Sequence, residues 1–402
     1  MNNIKLDFPI LDKKIRDKAI TYLDSAASTQ KPKQVINSIS EFLENSYENV
    51  HRGMNSLSID ATDLYEKSRD VAKNFINSNS TNEIIFTRGA TDSINIIANS
   101  LAEHLKEGDK IVVTELEHHS NYLPWMNLCK KLGLELKIIP ISKDGILSED
   151  DIINNCDDST KVLSLTHMSN VTGQKLDIKK IKKSINKDTY VAVDGCQSIA
   201  HLKIDVKDLD CDFYSFSSHK LYGPSGIGIM YGKEDILNKL NPPTLGGGMI
   251  NEVSSNDFSY AMLPNKFEPG TPSIEAAIGF KTAMEYLNNN NYQDYFLNEK
   301  KLRSTLIKAL REFKEVDIYG SNEDGNATSI VSFNVKNQNF NDIATFLDQY
   351  GIMIRGGHHC CQPFMKKLGI PGSCRVSFGI YNDLNDIDHF IDSLKKTLKL
   401  LQ

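Results

Sequence analysis

Two segments of this chain carry side chains whose types and order could do covalent chemistry. The first, Asp212-Phe-Tyr-Ser-Phe-Ser-Ser-His-Lys220, leaves an apolar run, passes hydroxyl and imidazole groups, and presents a lysine before the glycine-rich turn Gly223-Pro-Ser-Gly226-Ile-Gly228. A lysine amine becomes a nucleophile for an aldehyde only when a cationic or desolvated setting lowers its pKa. Ser217 and His219 flank it with groups able to hydrogen-bond a phosphate. The plain alternative is a solvated lysine in a serine-rich turn, and the glycine pattern that follows weighs against it. The second segment, Arg355-Gly-Gly-His-His-Cys360-Cys361-Gln-Pro363, places two thiols after two imidazoles. A reactive thiol must be deprotonated, which nearby cations favour, and exposed enough to reach its target. Arg355, His358 and His359 on a glycine-hinged loop supply those conditions to Cys360. A zinc site built from the same groups would need further ligands from elsewhere to close a tetrahedron.

The elements that must position these groups read as an α/β domain. Apolar runs at residues 111–114, 137–140, 162–166, 190–193, 213–215 and 227–231 have the character of buried parallel strands, with helical patterns between them. They end in His118-His119-Ser120, Thr166-His167, Asp194-Gly195 and Ser217-Ser-His-Lys220. Ligands of open sheets bind at the carboxyl ends of strands, so these polar groups are expected on one edge. Gly- and Pro-rich stretches at 241–248 and 267–272 precede a long helix expected to start near Ser273. Beyond about residue 297, a helix, strands near 328–335 and 351–355, and a closing helix over 386–401 suggest a smaller α+β domain.

The bulk properties agree with this division. A chain of 402 residues exceeds the size at which single cores stop growing, roughly 250–300 residues. The expected division is an N-terminal segment (1–20) packing with the small domain, a large domain (21–290), and a small C-terminal domain (291–402) carrying the cysteine loop. A net charge of -6 without a Lys/Arg block argues against nucleic acid and anionic membranes as partners and for a small-molecule substrate. Residues 1–20 lack the apolar core of a signal peptide, and no run is long enough to cross a bilayer, so a cytoplasmic location is expected. Seven cysteines, an odd number without framework spacing, read as reduced thiols.

The lysine segment resembles the corresponding motif of fold-type I, class V aminotransferase-like enzymes, which bind pyridoxal phosphate. The resemblance implies a large domain around a mostly parallel seven-stranded sheet and a smaller α+β C-terminal domain. In that reading Lys220 carries the Schiff base, and Ser217 and His219 contact the cofactor phosphate. Asp194 keeps the pyridine nitrogen protonated so that the ring accepts electrons. Gln197 reaches the phenolic oxygen, and His118 stacks on the ring. Ala90 and Thr91, in Arg88-Gly-Ala-Thr91, bring a helix N-terminus to the phosphate, and Asn170 matches the family as well. Taken singly, Asp194 is equally a helix N-cap, and His118 and His119 are ordinary loop residues. Gly270-Thr271-Pro272 resembles the segment through which a second subunit lends a hydroxyl to the same phosphate, which implies a homodimer. The same three residues also make a good helix start.

The cysteine loop resembles that of Suf-type, group II cysteine desulfurases, whose pattern is Arg-x-Gly-His-His-Cys followed by alanine. Cys360 takes the place of the nucleophile. Cys361 departs from the pattern, and the favoured reading makes it a bystander. Arg375 matches the arginine that grips the substrate carboxylate, a task suited to its bidentate fork. Arg355, Asn170 and His51, in Val50-His-Arg-Gly53, are further substrate-site matches. The implied activity converts L-cysteine to L-alanine and leaves the sulfur as a persulfide on Cys360. A small acceptor protein of the Suf system would carry it to iron–sulfur cluster assembly, and selenocysteine is implied as a second substrate. The alternatives are another class V reaction, such as a transaminase or lyase, and a non-enzymatic sulfur or metal carrier.

Overall fold

The computed structural model describes residues 4–290, 292–320 and 326–401. Its centre is a sheet of seven strands: β1 (Ile84–Thr87), β2 (Lys110–Thr114), β3 (Glu135–Ile139), β4 (Thr160–Thr166), β5 (Tyr190–Asp194), β6 (Phe213–Ser217) and β7 (Gly228–Gly232). Their order across the sheet is β1-β7-β6-β5-β4-β2-β3. Both faces are buried because side chains alternate along each strand. Val112, Leu163, Val191 and Phe216 enter one apolar cluster, while Ile111, Val113, Val162 and Phe213 enter the other. Such strands read as continuous apolar runs.

The five strands from β2 to β6 pair in parallel with one another. The run at 227–231, expected to be parallel, is not: β7 lies antiparallel to both β6 and β1. The chain between β6 and β7 is too short for a crossover, which takes about a dozen residues or more, so the strand can only return beside its predecessor. The edge strand β1 is absent from the sequence reading. Its four residues are all buried, and so short an apolar run cannot be told from a helix fragment by periodicity.

Helices α1 (Ser56–Phe75), α2 (Ala90–Leu101) and α3 (Ile274–Asn289) belong to this layer, and α3 starts beside Ser273 as expected. An antiparallel sheet of β8 (Val316–Tyr319), β9 (Ile330–Val335), β10 (Arg355–Gly357) and β11 (Ser373–Ser377) follows, in the order β8-β9-β11-β10. Its core of Val331, Phe333 and Val376 packs against Leu302 and Leu306 of α4 (Tyr292–Leu310), Leu347 of α5 (Phe340–Asp348) and Phe390 of α6 (Leu384–Leu401). The boundary expected between residues 290 and 291 abuts residue 291, which lies outside the described residues.

The N-terminal stretch touches both layers. The Phe8 ring lies edge-on to Tyr222, Tyr286 and Tyr381, and Lys5 pairs with Asp386 at 2.8 Å. Thr21–Tyr22 then pairs in parallel with Ile352–Met353. Among the described residues no helix is long and apolar enough to cross a membrane.

Candidate active site

The carboxyl ends of β4, β5 and β6 and the N-terminus of α2 face β10 and β11 across a cavity of about 200 Å³. Lys220, Asp194, His118, Asn170, Gln197, Ser217, His219, Ala90, Thr91, Arg355, Cys360 and Arg375 all line it. Backbone packing brings α2 there. A Cβ on Gly228 would stand 2.6 Å from the Gly89 Cα, so only glycine lets β7 pass this close to the turn before α2. Ala90 N–H then donates to Ser217 Oγ at 2.8 Å.

The floor of the cavity is tied by hydrogen bonds. Asp194, the last residue of β5, is buried and accepts a hydrogen bond from the Cys196 amide at 2.9 Å. Burial raises its carboxyl pKa, and the Lys220 cation opposes that rise. His118 accepts from the Ser120 amide through Nδ1 at 3.1 Å. Burial, with Lys220, His119 and Arg375, pushes its pKa down to about 3, so the ring is neutral and carries its proton on Nε2. His219 is likewise held down to about 4 by burial, Lys220 and Lys31. Gln197 donates one amide hydrogen to Ala26 O at 2.8 Å and keeps a second. Thr91 and Ser120 share a hydroxyl hydrogen bond of 2.7 Å. An amine, a buried carboxylate, a neutral flat ring, and hydroxyls beside a helix start form the donor set that suits an aromatic aldehyde bearing a phosphate.

The facing wall holds the cationic and thiol groups. Arg375, on β11, is buried; it donates to Asn170 O and to Asp24 Oδ1, both at 3.0 Å, and its Nε has no partner among the described residues. Arg355 donates to the other Asp24 oxygen at 3.2 Å. Asp24 therefore orients both arginines, a role the sequence reading missed. Nothing local in Asp24-Ser-Ala-Ala27 announces it, since its partners lie 331 and 351 positions away.

The two adjacent thiols point to different surroundings. Cys360 is exposed and lines the cavity. Its backbone (φ 53) and that of His359 (φ 52) are both left-handed, a conformation costing about 1–3 kcal/mol for each residue other than glycine. Four contacts hold it. His119 N–H donates to Cys360 O at 2.8 Å, Cys360 N–H to His358 Nδ1 at 3.1 Å, and Asn170 Nδ2 to His359 O at 2.7 Å. His359 Nε2 lies 3.0 Å from the Ser373 carbonyl. Cys361 is fully buried, with its thiol donating to Glu117 O at 3.1 Å and lying 3.4 Å from Asn170 Oδ1. Burial first of all pushes its pKa up. Among the described residues no group of three or more His, Cys, Asp or Glu gathers as a metal would require.

Two sequence candidates do not join this cavity. His51 and Thr271 line a separate hollow of about 360 Å³. One ion network carries both. His51 meets Glu66 at 2.8 Å, Arg69 meets Glu66 at 3.0 Å, and Arg69 meets Glu268, just before Gly270-Thr271, at 2.6 Å. Burial would raise the Glu66 pKa, but His51 and Arg69 outweigh it and hold the carboxyl down to about 2.

The sheet order and the strand-end cavity define the fold-type I architecture of pyridoxal-phosphate-dependent enzymes. The chain belongs to the aminotransferase class-V family, whose profile matches residues 21–390. A relative from Staphylococcus epidermidis, named "Probable cysteine desulfurase", is 44% identical over 393 residues, covering 97% of this chain and 95% of its own. Among solved structures, the apo cysteine desulfurase of Thermococcus onnurineus superposes with a TM-score of 0.94 at 36% identity, over 99% of this chain and 98% of that one. A cysteine desulfurase of Escherichia coli does so with a TM-score of 0.91 at 32% identity, over 100% and 99%.

Proposed function

We propose that the chain is a cysteine desulfurase that binds pyridoxal phosphate in the strand-end cavity and leaves substrate sulfur as a persulfide on Cys360. The observation that carries this reading is that an exposed thiol, a lysine amine and a buried carboxylate line one cavity of substrate size. Lys220 would hold the cofactor aldehyde, Asp194 its ring nitrogen, Gln197 its phenolic oxygen and His118 its ring face. Ala90, Thr91, Ser217 and His219 would hold the phosphate. When bound, the cofactor supplies an electron sink for the pair left on the substrate α-carbon.

The chain's own groups do the rest. Arg375, steadied by Asp24 and Asn170, grips the L-cysteine carboxylate, with Arg355 beside it. Lys220, once released, takes the α-proton as general base and later returns a proton. The Cys360 thiolate attacks the substrate sulfur: an S–S bond forms as the Cβ–S bond breaks, and the three-carbon remainder is protonated to alanine. A homodimer in which His51 and Thr271 reach the partner's cavity accounts for their distance from their own. The further reading is a cytoplasmic enzyme that hands sulfur to a small acceptor protein for iron–sulfur cluster assembly and also accepts selenocysteine.

The test is the visible spectrum of the purified protein before and after L-cysteine and a reductant, with alanine measured in the same sample. Expected are a Lys220-dependent band and alanine. Cys360→Ala should keep the band and lose alanine and sulfide formation. Unchanged alanine from that variant would refute the persulfide role, a band without alanine in the unmodified protein would favour another class V reaction, and no band would revive the carrier.

A further inference from the structure

Four donors converge on one carbonyl oxygen, that of His219, which opens the peptide bond into Lys220. Thr29 N–H lies 3.0 Å from it, Thr29 Oγ1 and Ser28 Oγ 3.1 Å each, and Lys31 Nζ 3.0 Å. A peptide carbonyl has two lone pairs, so the amide and hydroxyls already satisfy it and the ammonium is surplus to that need. Lys31 is also costly to keep there. It is partly buried and, among the described residues, otherwise donates only to the Thr29 carbonyl. Desolvation pushes its pKa down to about 8, and among the described residues no carboxylate counters it. The same segment grips the far side of the lysine, because the Tyr222 amide donates to Thr29 Oγ1 at 2.8 Å. Residues 28–31 thus bracket Lys220 at the peptide before it and at the amide two residues after it.

We propose that Lys31 is a positioning residue for Lys220, fixing the main chain on which the amine swings so that Nζ returns to one place when it takes and gives back the α-proton. The inference rests on the reading of Lys220 given above. Lys31 also sets an ammonium 3.0 Å from the carbonyl of the peptide that leads into Lys220, and a charge on that side of the lysine disfavours a second positive charge on the lysine–cofactor linkage. Its removal therefore has two signatures that mere structural support would not produce. Proton transfer slows while substrate binding, made on the opposite wall, is unchanged. The protonated linkage also persists to higher pH.

The experiment compares the holoenzymes of the unmodified protein, Lys31→Met and Lys31→Arg. For Lys31→Met, kcat for alanine formation is expected to fall about tenfold, the effect of a sub-ångström misplacement, with KM for L-cysteine nearly constant. The pH midpoint of the visible band should rise by about half a unit or more. Lys31→Arg, which keeps the cation and donor, should restore the midpoint and most of kcat. Should Lys31→Met not fold, Thr29→Val removes the hydroxyl shared by both grips and should lower kcat about threefold at constant KM. A Lys31→Met enzyme with unaltered kcat and midpoint overturns the inference. So does an equal loss in Lys31→Met and Lys31→Arg accompanied by loss of bound cofactor. An unmodified protein without the band would overturn the reading of Lys220 itself, and this inference with it.

Discussion

The floor and the facing wall of the cavity are built to opposite standards. Asp194 and Ser217 end adjacent parallel strands whose register pairs Asp194 with Ser215, so ladder hydrogen bonds set the spacing of these two buried side chains. Cys360 sits on an exposed loop with two consecutive left-handed residues, held by a handful of hydrogen bonds. Under the proposed function, the contrast follows from what each would do. Groups that hold charge against a ring act best when preorganised in a dry site, whereas a thiol that receives sulfur and surrenders it to another molecule must be reachable. The burial of Cys361 beside it sharpens the point, because chain proximity to Cys360 confers no access.

The largest effect on this contrast should come from loosening the floor. Asp194→Ala leaves the Cys360 loop untouched, yet alanine formation should fall about 100-fold or more, since one charge in a water-excluded site is worth that much. Steady-state kinetics together with iodoacetamide labelling of Cys360 would check it: a labelling rate equal to that of the unmodified protein shows that the wall is intact, and near-normal turnover would deny the floor its role.

Glu117 joins the two regions, its carbonyl taking the Cys361 thiol and its buried carboxyl bonded to Thr114 and Asn121. Burial above all lifts that carboxyl to about 8, against the hydrogen bonds from Thr114 and Asn121. The folded acid keeps its proton to that pH while the unfolded one loses it near ~4.3. Its contribution to stability is therefore whole below the lower value, declines as pH rises between the two, and stays low above about 8. Thermal unfolding should show Tm falling from pH 5 to 8 more steeply in the unmodified protein than in Glu117→Gln; parallel curves would mean the acid is ionised in the fold.

The smallest effect is expected at the neighbouring thiol. Cys361→Ala removes a buried sulfur and should cost about 1–2 kcal/mol of stability, with kcat within about twofold because the buried side chain is not part of the cavity lining. In the native protein an alkylating agent should modify Cys360 and spare Cys361, readable by peptide mass. Equal modification of both would show that the loop opens and that the wall is looser still.

Much of the floor was legible because its signals are local. Lys220, Asp194 and His118 each follow an apolar run, and the rule that ligands gather at the carboxyl ends of strands brings them together without any long-range information. The direction of β7 was misread because its composition equals that of a parallel strand and only the short connection before it betrays the turn back. Asp24 and Lys31 were not legible as site residues. Their meaning lies in partners hundreds of positions away, the two arginines for Asp24 and the His219 carbonyl, 188 positions off, for Lys31.

The sequence by itself determined which groups are chemically competent and which side of the sheet they occupy, since residue type and hydrophobic period act over a few neighbours. The motif resemblance pointed to Cys360, but only tertiary structure gives the physical reason that it, and not the identical thiol beside it, faces the cavity. That choice is made by the left-handed backbone at His359 and Cys360 and by the carbonyls of Leu116 and Glu117, more than 240 positions away, which capture the Cys361 thiol and leave the other free.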